Sequence, residues 1–401
     1  MHCRNPYSNP PDFLALAAEY QDTSSRPRTT INFRNEAAQR RLTEAIMFCH
    51  FSITLRIPEN RLCPPMVKSH RMDHRLNYIL WIQEIVHAHD YVFGNPRRRV
   101  RGIDIGTGST AIYHFLGCKL EPEWEFVATE LDDISYDCAS ENPNTNNMQS
   151  RVRLEKATGE GKVAQSASEK DLAPNAVCTG ADIEMIFADG GEEGFVGQMV
   201  EESERFQTRC KWYTSMLGKM SSVTTVVENL RKRSIVNYAI TEFVQGQTRR
   251  WAVGWSFIDM HLPDSIARIP SIVAGHPLYL LMPPRNTLTQ SFPNCSVPML
   301  ADILDRNLRL LEGVSATNKD PGSVSNTVSS SSASRTLFLE AEGNTWSRSA
   351  RRRRRLNGST PLENTNTRTS SSSSRQPALT CSVRVIDTLP RTMETSLELE
   401  F

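Results

Sequence analysis

The stretch Val100-Arg101-Gly102-Ile103-Asp104-Ile105-Gly106-Thr107-Gly108 sets the tightest limit on what this 401-residue chain can fold into. A short apolar run, Val100 to Ile105, ends on two closely spaced glycines. That is the pattern of a strand entering a turn where positive φ is needed and a ligand can approach the backbone. A second run, Glu125 to Thr129, closes on Glu130, 22 residues after Gly108. An acid at the end of the second strand of a βαβ unit can accept both hydroxyls of a ribose. The spacing therefore predicts an adenosine-type cofactor at the turn. Position 111 is Ala, so the dinucleotide pattern G-x-G-x-x-G is not met. Asp104 stands inside the strand, and an acid-x-Gly-x-Gly turn suits S-adenosylmethionine better than a nicotinamide dinucleotide. An ordinary βα turn is the plainer alternative. The glycines alone leave it open; the position of Glu130 weighs against it.

Around this unit, residues 102–258 read as strands alternating with helices, which predicts an α/β domain whose mainly parallel sheet carries helices on both faces. Asp132 to Asn142 reads as a helix and Trp212 to Leu217 as a buried strand. Ala239 to Phe243 and Trp251 to Phe257 flank Gln245-Gly246-Gln247 and read as an antiparallel hairpin. Upstream, Asn35 to Phe48 and Leu76 to Ala88 have helical apolar spacing. Downstream, Pro298 to Leu311 is amphipathic, with Ser296 as a candidate cap, and Cys381 to Ile386 is a short strand.

Charge is sorted along the chain. Residues 1–101 carry 15 Lys and Arg against 9 Asp and Glu, residues 102–204 carry 6 against 21, and residues 205–401 carry 25 against 15. Basic ends around an acidic middle suit a polyanion partner such as nucleic acid; solvated charged faces explain the same numbers without a partner. No apolar run approaches the ~20 residues that span a bilayer, so no membrane partner is expected. The start, Met1-His2-Cys3-Arg4-Asn5-Pro6, has no apolar signal core. Nine cysteines without a C-x-x-C pair predict neither a disulfide framework nor a zinc site, and point to a reducing compartment. The nine histidines show no metal spacing, so no metal is expected.

Longer motifs recur in a recognisable order. Pro10-Pro11-Asp12-Phe13 is followed by Arg75-Leu76-Asn77-Tyr78-Ile79-x-Trp81, then by Arg101 to Gly108, then by Ala128-Thr129-Glu130-x-Asp132-Asp133. Trp212-Tyr213-x-x-Met216-Leu217-Gly218-Lys219 and Thr241-Glu242-Phe243-x-Gln245-Gly246-x-Thr248-x-Arg250-Trp251-Ala252 complete the set. In this order they resemble the methyltransferase-like protein 16 family, RNA adenine-N6 methyltransferases that act on U6 snRNA. The resemblance covers residues 1–258. It extends weakly to Leu337-Phe338-Leu339-x-Ala341, Asn344-x-Trp346 and the arginines 351–355, which look like part of the family's second, RNA-binding domain. It implies a class I S-adenosylmethionine-dependent methyltransferase (Rossmann-like) sheet, with a basic N-terminal extension and a small α+β C-terminal region. It also implies S-adenosylmethionine as donor, a structured RNA, U6 snRNA by preference, as partner, and a nuclear location, with the cytoplasm as a second compartment.

Carried over residue by residue, the cofactor pocket falls on Arg75, Gly106, Thr110 and Glu130, with Arg75 near the methionine carboxylate. The RNA groove falls on Arg34 after Asn32-Phe33 and on Arg250, while Gln247 departs from the basic pattern. Arg97, Arg98 and Arg99 add candidate phosphate contacts, and Arg351, Arg352 and Arg353 a basic patch. A plain solvated run explains the last group equally well from its composition.

The family's Asn-Pro-Pro-Phe catalytic segment is not found, so no catalytic residue is assigned. Asn9-Pro10-Pro11-Asp12 matches the family's opening instead, and Asn142-Pro143-Asn144 belongs to a helix. Polar residues fill Thr158 to Val177, and the resemblance resumes at Cys178-Thr179-Gly180. Strand four and its loop read as deleted, which would leave unpaired backbone in the middle of the sheet. Ile183 to Ala188 with Asp189-Gly190-Gly191 is a conceivable substitute, but a helix start is favoured there. A non-catalytic RNA-binding member of the family is therefore the alternative function. The expected division is a basic RNA-binding extension over 1–100, the methyltransferase domain over 101–262, and a linker and helix over 263–312. Disorder is expected over 313–334 and 357–380, around a basic RNA-binding island at 335–356, with a strand region at 381–401.

Overall fold

The computed structural model describes residues 2, 4–8, 12–20, 35–59, 71–93, 99–157, 190–245, 248–293, 295–311, 313–318, 335–341, 379–389 and 394–400. The chain divides into two compact units, Met1–Pro283 and Pro284–Phe401.

The first unit opens with helices α1 (Phe13–Glu19), α2 (Glu36–Phe51) and α3 (Arg71–Phe93). Asp12 and Asn35 cap the first two, their side chains accepting amides of the first turn. Strands β1 (Val100–Ile105), β2 (Trp124–Glu130) and β3 (Val152–Lys156) then alternate with α4 (Ile112–Leu120) and α5 (Asp133–Thr145). They form a parallel sheet in the order β1-β2-β3. Helix α6 (Gly191–Phe206) leads to β4 (Tyr213–Leu217), α7 (Met220–Lys232), β5 (Tyr238–Gln245) and β6 (Thr248–Trp255). These strands form a second sheet, antiparallel, in the order β4-β6-β5. A short helix α8 (Asp264–Ala267) follows. The strands, the hairpin and the helices read from the sequence are all present, with ends displaced by a few residues.

The expected single sheet is two sheets among the described residues. The β1 ladder pairs with β2 and the β4 ladder pairs with β6. The coverage differs too. Phe115, Leu116, Ala139 and Val152 form one core with Phe126 and Leu154 packed against it, so α4 and α5 cover one face of the β1–β3 sheet. On the opposite face Ile103 is 68% and Ile105 51% exposed. Parallel sheets are normally covered on both faces. The 34-residue stretch that connects β3 to α6 lies outside the described residues except at its ends. The substitute strand Ile183 to Ala188 falls within it, as does Asp189. The helix start favoured for Ile183 to Ala188 lies there as well; the described helix begins at Gly191, with Val196 in the core of the second sheet and Phe195 and Met199 packed against it.

Helix α3 joins the two sheets. Its Leu76, Ile79 and Leu80 belong to the core under β1–β3, while Trp81 and Ile85 share a core with Ala239 and Phe243 of β5 and Ala252 of β6. The N-terminal extension is thus part of the methyltransferase core rather than a separate module, because its helices bury the same apolar surface as α4. The stretch after α2 is held by α5. Asn142 accepts the Arg56 amide at 2.7 Å, and Asn146, one turn on, accepts the Thr54 amide at 2.8 Å and donates to the Thr54 carbonyl at 2.7 Å.

The second unit is a five-stranded antiparallel sheet in the order β7-β11-β10-β9-β8. Its strands are β7 (Thr287–Pro293), β8 (Val314–Asn318), β9 (Arg335–Ala341), β10 (Leu379–Leu389) and β11 (Glu394–Glu400). Helix α9 (Val297–Arg309) packs Val297, Leu300 and Ala301 on Leu337, Leu339, Val383 and Val385. Ser296 takes the N-cap position but makes no side-chain cap bond. The disorder expected from residue 313 is overturned for Val314–Asn318, which pairs with β9, and the end of the 357–380 stretch enters β10. Polar strand residues such as Ser315 and Thr317 hid this pairing, since only one face of an antiparallel strand needs to be apolar.

Candidate cofactor site

The glycine turn follows β1 because the ladder with β2 runs on into it. Gly106 and Thr107 both donate their amides to the Thr129 carbonyl at 3.0 Å. Gly106 and Gly108 take φ of 75° and 69°, and a Cβ on either would meet nothing within 4 Å. The backbone is therefore bare on the side a ligand would approach. Ala111, at the helix N-cap, also has positive φ, at 50°. For a residue with a Cβ that stores about 1–2 kcal/mol of strain.

Glu130 lies beneath the turn, fully buried. Its Oε2 accepts the Gly108 amide at 2.7 Å, and its Oε1 accepts the amides of Leu131 at 2.7 Å and Asp132 at 3.0 Å. Burial pushes the carboxyl above the ordinary glutamate range, and the three amides only partly offset this. A carboxylate has about four lone-pair sites, so beside its three amides Glu130 has room for about one further donor, which would relieve the penalty of burial. Thr110 is buried in the same turn. Asn142 supports the turn from behind, its amide 3.5 Å from the Ser109 carbonyl.

Arg75 projects from α3 over Tyr113 of α4, its guanidinium carbon 5.9 Å from the ring centroid. The four expected cofactor residues thus lie on the turn, on the end of β2, and on the helix packed beside the first turn of α4. A bare glycine turn, an under-satisfied buried acid and a nearby guanidinium are the donor set that an adenosine with an amino-acid tail requires, so the residues fit S-adenosylmethionine.

The expected RNA residues are more scattered. Arg250 on β6 donates to the Gly218 carbonyl at 3.3 Å, at the turn from β4 into α7. Glu192 of α6 accepts the Gly218 and Lys219 amides of that turn at 2.8 and 3.1 Å. Arg99 precedes β1 and pairs with Glu125 at 2.8 Å. It stands at the strand end opposite the glycine turn, about 20 Å away for six extended residues. Arg34, Arg97, Arg98, Arg351, Arg352 and Arg353 lie outside the described residues, as does Trp346. No group of three or more metal-ligating side chains occurs among the described residues. No described helix is long and apolar enough to cross a membrane.

Sequence reading missed two contributors. His114 sits one turn into α4 behind the glycines, and Glu192 holds the turn into α7 through the Gly218 and Lys219 amides. Only Asp104, conspicuous inside an apolar strand, pointed toward the first.

Comparison with known proteins adds the lineage. A family model described as RNA methyltransferase matches residues 1–171 and again 160–259. The U6 small nuclear RNA (adenine-(43)-N(6))-methyltransferase of Schizosaccharomyces pombe is 31% identical over 351 residues, covering 80% of this chain and 82% of the relative. The crystal structure of the hMettl16 catalytic domain in complex with MAT2A 3'UTR hairpin 1 superposes with a TM-score of 0.53 at 32% identity, covering 68% of this chain and 99% of the other. The N-terminal domain of human METTL16 in complex with SAH gives a TM-score of 0.51 at 34% identity, covering 65% and 99%. Vertebrate relatives named RNA N(6)-adenosine-methyltransferase METTL16, from Danio rerio and Homo sapiens among others, are 33–34% identical over 65% of this chain, which spans only 51–59% of their length. These likenesses establish the α/β class I methyltransferase fold for the first unit. With the family model over residues 1–259 and the relative from Schizosaccharomyces pombe matching 80% of this chain, the chain belongs to the METTL16 family of RNA methyltransferases.

Proposed function

We propose that the chain binds S-adenosylmethionine at the β1 turn and transfers its methyl group to the N6 of an adenine in a structured RNA such as U6 snRNA. The observation that carries the reading is the buried Glu130 carboxylate bonded to Gly108 under a turn open to ligand. The cofactor, when bound, supplies an electrophilic methyl group on a sulfonium. Glu130 accepts a ribose hydroxyl at its remaining site, Gly106 and Thr110 border the nucleoside, and Arg75 takes the amino-acid carboxylate as a guanidinium fork does. Arg250, with Arg34, Arg97–Arg99 and Arg351–Arg353, supplies phosphate contacts that orient the RNA without reading its sequence. Nuclear residence belongs to the same proposal.

The test is methyl transfer from labelled cofactor to an adenine-containing RNA hairpin, with N6-methyladenosine identified in the product. Labelled product on an adenine hairpin, absent when that adenine is replaced, is the expected result.

A second reading is RNA binding without methyl transfer. Two observations favour it: Asn-Pro-Pro-Phe is absent from the sequence, and among the described residues no strand pairs with β1 on the side away from β2. Adenine-N6 chemistry needs a hydrogen-bonding group and an aromatic face for the flipped base. Salt-sensitive hairpin binding with no product, under conditions where cofactor is bound, selects this reading.

A further inference from the structure

His114 is completely buried, and its two ring nitrogens reach two different elements. Nδ1 lies 3.3 Å from Thr107 Oγ1, in the glycine turn. Nε2 lies 3.2 Å from Asp104 Oδ2, on the strand entering the turn. Both Nε2 and Oδ2 are buried without a hydrogen-bond partner among the described residues, so their 3.2 Å approach is a charge contact short of hydrogen-bond geometry. Phe126 of β2 meets the imidazole edge-on at a centroid distance of 5.0 Å. Burial alone would raise the Asp104 carboxyl. The adjacent His114, with Thr107 and the Ile105 amide, outweighs it and holds Asp104 below the ordinary aspartate range.

A residue of α4 thus grips both sides of the turn. The Thr107 amide is already fixed on Thr129, so its hydroxyl is the handle that α4 takes on the turn. Immobilising Thr107 fixes the next amide, Gly108, which must meet Glu130 at 2.7 Å. Volume alone does not do this: an apolar side chain fills the space but offers neither polar edge.

We propose that His114 is a positioning residue for the cofactor turn, linking Asp104 and Thr107 to α4 so that the Gly108 amide and the Glu130 carboxylate are pre-set for the ribose. The inference rests on the cofactor reading above. It makes the imidazole a determinant of cofactor affinity although it touches no ligand.

The experiment is calorimetric titration of the full chain with S-adenosylhomocysteine, each variant melted in parallel. His114→Leu removes both polar edges at similar volume, and His114→Gln keeps a donor for Asp104. Thr107→Val removes the handle, and Thr107→Ser keeps it. Loss of one such hydrogen bond corresponds to about tenfold in affinity. The expected result is binding weakened about tenfold or more in His114→Leu and Thr107→Val, and largely restored in His114→Gln and Thr107→Ser. Equal affinity in wild type and Thr107→Val, or equal weakening of Thr107→Val and Thr107→Ser, overturns the proposal while leaving the cofactor reading intact. A wild-type chain that takes up no ligand overturns both.

Discussion

The Gly108 amide donates to the Glu130 carboxylate at 2.7 Å, so the glycine turn and this buried acid are one hydrogen-bonded unit. The amides of Leu131 and Asp132 converge on the same side chain. Removing the carboxylate therefore affects folding as well as binding. Glu130→Ala leaves three amides without their acceptor, at about 1–3 kcal/mol for each that stays buried. Glu130→Gln keeps an acceptor oxygen but weakens the charge-assisted bonds. The expected outcome in calorimetry is no measurable S-adenosylhomocysteine affinity for Glu130→Ala, with a lower melting temperature. Glu130→Gln should remain folded with affinity reduced at least tenfold. Unchanged affinity in Glu130→Ala would remove this residue from the site.

The same carboxyl makes cofactor affinity depend on pH. Burial raises its pKa above the ordinary 4.5. An acid raised in the folded state favours folding fully below its unfolded value, and that contribution is lost as pH climbs through the folded value. A ribose hydroxyl donates to the carboxylate, not to the acid, so ligand binding pulls the pKa back down. Affinity should rise with pH from about 4.5 and level off above the raised value, with protons released on binding inside that window. Titrations in buffers of different ionisation enthalpy measure the release. Glu130→Gln should show neither the slope nor the protons.

The turn and its acid were legible because their chemistry is local: two glycines, one acid and a fixed spacing define them. The hairpin of β5 and β6 was legible for the same reason. The sheet of the second unit was not. Its β7, β8 and β11 are Ser-, Thr- and Glu-rich and depend on partners far along the chain, β8 pairing with β9 and β7 with β11. Local composition makes Val314–Asn318 look like the start of a polar linker. His114 escaped for a different reason. A histidine on the buried side of a helix has no sequence signature until Asp104 and Thr107 are seen to flank it.

The close fit of α4 on the sheet gives a stability prediction. A Cβ on Gly117 would lie 2.7 Å from Phe126 Cζ, and one on Gly102 would lie 2.5 Å from Phe126 Cδ1. The ring is thus held between a glycine of the helix and a glycine of β1. Gly117→Ala gains roughly 0.5–1 kcal/mol of helix propensity, but forcing a methyl into this contact costs about 1–3 kcal/mol. The expected net result is a destabilisation of about 1–2 kcal/mol in denaturant unfolding. Phe126→Leu in the Gly117→Ala background should recover part of it, which would identify the ring as the obstacle.

Tyr78 offers the most direct test of how the two sheets are joined. Its hydroxyl lies 2.8 Å from Thr214 Oγ1 on β4, while its ring meets Tyr113 of α4 and Phe243 of β5 edge-on. Burial lifts the phenol well above its ordinary range, so it stays protonated and can donate at any working pH. No ladder between β1 and β4 shares the load among the described residues. Tyr78→Phe keeps the ring contacts and removes only the hydroxyl, which should cost about 1 kcal/mol. Thr214→Val removes the other half. If the hydrogen bond is the tie, the double variant should lose little more than either single one, and a double-mutant cycle should return a coupling of about 1 kcal/mol. Amides of β4 should exchange faster in each single variant while those of β2 do not change. Strict additivity of the two substitutions would show that helix α3 holds the sheets together by apolar packing alone.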